Sequence, residues 1–207
     1  MSVKKNEIKW TNRICISGKI TSEIIYSHAV YGKSYYCAFL ESERVSGFVD
    51  VLRLIISEQL GALPIKGQTI EVIGQIRSYN EYNPDLNRYC LKLFIFVQEM
   101  NVIEKNIMHR NELCMMGTIC REPTYRATPY NKKISDVLLA VNRKNNHKSD
   151  YIPCIFWGKR AKQISKQEVG SSIAIGGRFQ SRCYQKEPSG QIYTTYEVSA
   201  FKVFLMS

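Results

Sequence analysis

Apolar and polar residues alternate along this chain with the period of extended strands, in short runs separated by turn-type residues. Residues 13–20 read as a first strand interrupted by Gly18, a glycine of the kind that marks a bulge or sharp bend at a barrel corner. Further strands are predicted over 35–40, 48–52, 69–77 and 89–97. Residues 53–63, with Leu54, Ile55, Leu60 and Leu63, read as a helix. Turn residues fill 21–33, a polar loop covers 80–87, and 100–111 read as a linker. The order then repeats. Residues 111–119 mirror 12–20, residues 134–141 mirror 35–40, and residues 151–157 mirror 48–54. A helix-like stretch over 159–166 follows, and residues 170–178 mirror 67–75. Early pairs such as Asn12/Asn111 and Gly18/Gly117 lie 99 positions apart, and later pairs such as Gly67/Gly170 lie 103 apart. The four extra residues are expected in the 142–149 loop. The predicted fold is all-β: two tandem OB-folds, each a five-stranded Greek-key barrel with a helix between strands three and four. The expected domains are 1–105 and 106–207.

Strand parity in the second half separates two faces. Over 151–157, Ile152, Cys154 and Phe156 suit a core, which turns Tyr151, Pro153, Ile155 and Trp157 outward. Over 177–184, Phe179 and Cys183 face inward, and Arg178, Gln180, Arg182 and Tyr184 share the outer side. Rings and guanidinium groups on one exposed sheet face suit a single-stranded nucleic acid: bases stack on the rings and phosphates pair with the cations. Arg126 belongs to the same barrel, while Arg143 and Lys132 sit on adjoining loops as further phosphate contacts. Tyr193 and Tyr196, on the return strand of the hairpin, are open between stacking and core.

Charge sharpens this picture. The formal net charge is +11, which favours a polyanionic partner. Residues 1–105 hold 13 basic against 11 acidic residues, and residues 106–207 hold 16 against 7, so the second half carries most of the excess. The first half is therefore expected to have a weak or vestigial face, or one given to oligomer contact, with Phe48 in the place of Tyr151 and Leu54 in the place of Trp157. Seven scattered cysteines without a C-x-x-C pair read as mostly buried thiols of a reducing cytoplasm, and no metal or cofactor is expected. No apolar run reaches membrane-spanning length, and no secretory signal is expected. The phosphate-loop, nucleophile-elbow and zinc-protease motifs are absent, so catalysis is not expected.

The second half resembles the bacterial and phage single-stranded-DNA-binding family across 111–206. The resemblance rests on Gly117, Arg121-Glu122-Pro123 with Tyr125-Arg126, Val141-Asn142-Arg143, and Asp150-Tyr151-Ile152-Pro153 running into Phe156-Trp157-Gly158-Lys159. Val169-Gly170-Ser171, Gly177-Arg178 and Ser189-Gly190-Gln191 complete it. The first half looks like a diverged copy. The resemblance implies sequence-tolerant binding and protection of single-stranded DNA, with base stacking on Tyr151, Trp157 and Tyr184. It also implies four barrels per assembly, which a tandem chain reaches as a homodimer. The family's acidic, phenylalanine-ended recruitment tail has no counterpart at Phe204-Leu205-Met206-Ser207. The alternatives are a primosome-type accessory or structural protein, and an RNA-binding OB protein.

Overall fold

The computed structural model describes residues 11–103, 110–143, 148–186 and 191–206; of 184–186, 191 and 192 it describes the backbone alone. The first half forms β1 (Asn12–Ile20), β2 (Ile25–Val30), β3 (Lys33–Glu43), β4 (Val49–Ser57), β5 (Thr69–Asn83) and β6 (Arg88–Val102). The second forms β7 (Asn111–Ile119), β8 (Thr124–Ala127), β9 (Lys133–Asn142), β10 (Ser149–Trp157), helix α1 (Lys159–Ile164), β11 (Ser172–Lys186) and β12 (Gln191–Leu205). In each half five strands pair in a closed ring, β1-β3-β4-β6-β5 and β7-β9-β10-β12-β11, and β2 or β8 adds a sixth strand at the edge. Period-two alternation builds these rings. In β5, Ile70, Val72 and Ile76 point into the core; in β6, Leu93, Ile95 and Val97 do. Phe156 and Phe179 fill the second core.

The recurring glycines sit where strands cross closely. A Cβ on Gly74 would lie 2.4 Å from the Phe96 carbonyl oxygen, and one on Gly177 would lie 2.6 Å from that of Ser199. Both glycines also stand at register shifts of their hairpins.

Three predicted elements differ. Residues 53–63 are not a helix: β4 continues to Ser57, because Leu52, Leu54 and Ile56 alternate into the core, and a short 3-10 turn, Glu58–Leu60, follows. The first half of the 80–87 stretch is strand, since β5 runs on to Asn83 paired with β6, and only 84–87 form the turn. Part of 21–33 forms β2, whose largely exposed residues carry no core signal. The boundary expected after residue 105 falls among 104–109, outside the described residues.

The pairing also relocates the four extra residues. Leu40 faces Leu52 and Leu139 faces Ile152; Leu54 pairs with Ile95 and Cys154 with Val198. The offset is therefore 99 up to β3/β9, 100 along β4/β10 and 103 from β6/β12 on. One extra residue enters the β9–β10 loop. Three enter after β10, where they supply the length for α1 in place of the 3-10 turn.

An approximate twofold axis relates the halves. Strands β1 and β7 pair antiparallel, centred on Ile14 opposite Leu113, two residues related by the 99-residue offset. Ser17 N–H donates to the Arg110 carbonyl at 2.9 Å, and its counterpart Met116 N–H to that of Thr11 at 2.8 Å. Two reciprocal clamps reinforce the joint. Asp150 accepts from Arg143 Nε at 2.8 Å and from the Ser78 N–H of β5 at 2.7 Å. Asp50 accepts from Arg44 Nε at 2.7 Å and from the Ser181 N–H of β11 at 2.7 Å.

Candidate nucleic-acid interface

On β10 the core set is as predicted, with Ile152, Cys154 and Phe156 buried. Tyr151 is 45% exposed and Trp157 39%, one at each end of the outer face. Ile155, expected outward with them, is only 2% exposed. It forms the floor of a 490 Å³ cleft whose walls include Trp157, Arg126 and Arg182 of the second half with Arg44 and Phe48 of the first. The Arg44 guanidinium lies 4.4 Å from the Phe48 ring centroid. A second 490 Å³ cleft contains Tyr151, Pro153 and Arg121 together with Asn80 and Leu91 from the β5–β6 ribbon. Each half thus contributes walls to the other's face.

The predicted basic residues divide by environment. Arg182 is exposed on the cleft wall and has no ion pair among the described residues. Arg126 Nε donates to Asp136 at 2.7 Å near the rim. Arg178 Nε donates to Gln180 Oε1 at 3.1 Å. Burial pushes the Arg178 pKa down, Arg44 adds to that, and Asp50 opposes it. Lys132 is exposed at the turn that leads into β9. Arg143 is not a free loop cation: it grips Asp150 and the Ser78 carbonyl in the clamp between halves. Tyr184 pairs through its backbone with Tyr193, and its side chain lies outside the described residues. Tyr196 packs on core Phe179, with centroids 6.0 Å apart, and burial raises its pKa.

The first half presents an equivalent cleft of 370 Å³, lined by His28, Arg53, Ile55, Tyr79, Phe94 and Arg143 among others. Arg53 Nη1 donates to the Tyr79 hydroxyl at 2.6 Å, and Tyr79 meets Phe94 edge-on with centroids 5.9 Å apart. Burial disfavours the Arg53 charge, but bonds to Cys37 and Tyr79 leave its pKa above the ordinary arginine value. His28 stacks on Tyr35 at 5.0 Å and 13°. Phe48 and Leu54 do not occupy the places of Tyr151 and Trp157. Strand pairing puts Val51 and Ser57 there, and this cleft takes its aromatics from β5 and β6 instead.

Residues 110–206 match the single-strand binding protein family. The Bacillus subtilis single-stranded DNA-binding protein B is 32% identical over 102 residues, which make up 46% of this chain and 89% of that protein. The chain belongs to the single-strand binding protein family. Single-stranded DNA-binding protein 1 of Lactococcus lactis is 32% identical over 95 residues, 43% of this chain; the chain spans 63% of that protein's length. The wild-type single-stranded DNA binding protein of Thermus aquaticus superposes with a TM-score of 0.74 at 18% identity, covering 95% of this chain and 93% of that one. At that identity the likeness is one of fold, and it extends over both halves. The single-strand binding family is non-enzymatic.

No sequence signal marked Arg44, which the first half contributes to the second half's cleft, or Arg53, Phe94 and Glu197, which line the clefts of their own halves. A signal was present for the clamps. Asp50 and Asp150 each stand at a core-facing position of an apolar strand, where an unpartnered acid is costly. The thiols were also misjudged: Cys15, Cys37 and Cys154 are buried, whereas Cys114 and Cys183 are exposed. Cys183 lies where β11 runs out into its hairpin with β12. Among the described residues no helix is long and apolar enough to cross a membrane.

Proposed function

We propose that this chain binds single-stranded DNA without catalysis, tolerating many sequences, on the outer faces of both barrels. The observation that carries the reading is the pair of half-exposed aromatics, Tyr151 and Trp157, at the two ends of one strand, flanked by clefts that Arg121, Arg126 and Arg182 help to wall. Bases stack on Tyr151, Trp157 and Tyr184, each contributing roughly 1–3 kcal/mol. Arg182, Arg126, Arg178 and Lys132 take phosphates, with Arg126 exchanging Asp136 for the ligand. Arg143 acts as a positioning residue that holds the two halves in register. The Arg53–Tyr79–Phe94 cluster favours a working face on the first half, despite its nearly balanced charge. On this reading the two domains are 1–105 and 106–207, and the protein protects single strands during replication, recombination or mobile-element transfer in a reducing cytoplasm. A homodimer carrying four barrels fits the exposed Phe201, Phe204, Leu205 and Met206 of the last strand and its end.

The test is titration with oligo-dT at low and high salt, followed by intrinsic fluorescence, for wild type and Trp157→Ala. Quenching, affinity that falls with salt, and a loss of roughly fivefold or more in the variant support the reading. No binding at low salt overturns it.

A further inference from the structure

On the outer face of the second barrel, Glu197 lines both clefts, the one holding Tyr151 and the one holding Trp157. It is 8% exposed, and among the described residues it accepts one hydrogen bond, from Gln180 Nε2 at 2.9 Å. Among the described residues no cation pairs with it. A carboxylate offers about four acceptor positions, so most of its accepting capacity remains. A buried carboxylate with no cation beside it repels phosphate; of the other acids lining the clefts, Asp136 is paired with Arg126 and Glu122 stands with Arg121 in the Tyr151 cleft, while Arg44, Arg126 and Arg182 line the Trp157 cleft. Phosphates are then steered to the arginines around it, and a base edge is brought over Glu197.

The fold does not require an acid here. By the 103-residue offset of β6 and β12, the first barrel places Phe94 at this position and Arg77 opposite it, where the second has Gln180. We infer that Glu197 gives the second face a base preference, favouring bases with an exocyclic amine over thymine. A carboxylate accepts the amine N–H of cytosine or adenine. Thymine offers one imide N–H between two carbonyl oxygens, and those oxygens are repelled. The first face, with Phe94 at this place, reads no base edge in this way. The inference rests on the single-stranded DNA reading above.

The experiment compares oligomers of equal length made of dT, dC and N4,N4-dimethyl-dC, at low salt and mildly alkaline pH, with wild type and Glu197→Gln. The dimethylated base keeps its ring but has lost its amine donors, so that arm leaves the protein unaltered. The dC-to-dT affinity ratio is expected to fall about tenfold in Glu197→Gln, the effect of one hydrogen bond to a charged group. A similar fall is expected in wild type when dimethyl-dC replaces dC, and this arm decides the matter if the variant does not fold. Binding of all three oligomers with ratios unchanged by either alteration overturns the base preference alone. Failure of every oligomer to bind wild type overturns the DNA reading, and the preference with it.

Discussion

Asp150→Ala tests how the two halves are held together. The Asp150 side chain is 1% exposed; it accepts from Arg143 Nε at 2.8 Å and from the Ser78 N–H at 2.7 Å, with Arg77 Nη1 at 3.6 Å. Deleting the carboxylate leaves an orphaned N–H and two guanidinium groups facing each other across the joint. Burial lowers the Arg77 pKa there; Asp150 opposes that shift and Arg143 reinforces it. Breaking a buried pair costs about 3–5 kcal/mol. Arg143 keeps 22% of its side-chain surface in solvent, which places the expectation near the lower end, about 3 kcal/mol. That is a large share of a typical stability of about 5–15 kcal/mol. Urea unfolding should show it as a lower midpoint. Asp50→Ala, in the reciprocal clamp, should cost a similar amount. Adding Arg143→Ala to Asp150→Ala should recover part of the loss, because it removes one of the two opposed charges. Asp136→Ala is the control: its pair with Arg126 is about 40% exposed and should be worth about 0–1 kcal/mol. A loss below about 1 kcal/mol for Asp150→Ala, or one equal to that of Asp136→Ala, would refute the clamp argument.

Further measurements address the faces and the backbone. Tyr79→Ala or Phe94→Ala should weaken binding to oligomers long enough to reach both barrels and leave Trp157 quenching by short ones intact; unchanged affinity for long oligomers would remove the first face from the binding scheme. Gly177→Ala should destabilise by about 1–3 kcal/mol in thermal or urea unfolding, since its Cβ would meet the Ser199 carbonyl oxygen at 2.6 Å. Alkylation followed by peptide mass analysis should label Cys114 and Cys183 first, with Cys154 protected in the native state. Burial pushes the Cys154 thiol pKa far up, and the nearby Glu197 adds to it, so thiolate is scarce at any ordinary pH.

Much of the fold was legible because it rests on local rules. Alternation along the five ring strands of each half marked most of the residues that face the core, and Gly18 marked a bend at a barrel corner, where the structure brings the Glu41 carbonyl too close for a side chain. The repeat was legible for the same reason: two copies under the same packing constraints keep the same pattern. Where the pattern was ambiguous, the reading failed. Residues 53–63 hold apolar residues compatible with either period, and only the register of β4 against β3 decides for a strand. Inserted residues leave no mark of their position, so the three that build α1 were assigned to the wrong loop.

The sequence by itself determined the alternating strands, the duplicated barrel, the excess of basic residues in the second half and the outward placing of Tyr151 and Trp157. These depend on side-chain chemistry and on periods of a few residues. The tertiary structure decided what lies more than a strand away. It turned Arg143 from a loop cation into a clamp on Asp150, buried Ile155 as the floor of a cleft and brought Arg44 and Phe48 to the other half's face. It also set Glu197 between the two aromatics. The physical reason is that strand β1 meets β7 across the approximate axis, and no local pattern specifies which surfaces that meeting brings together.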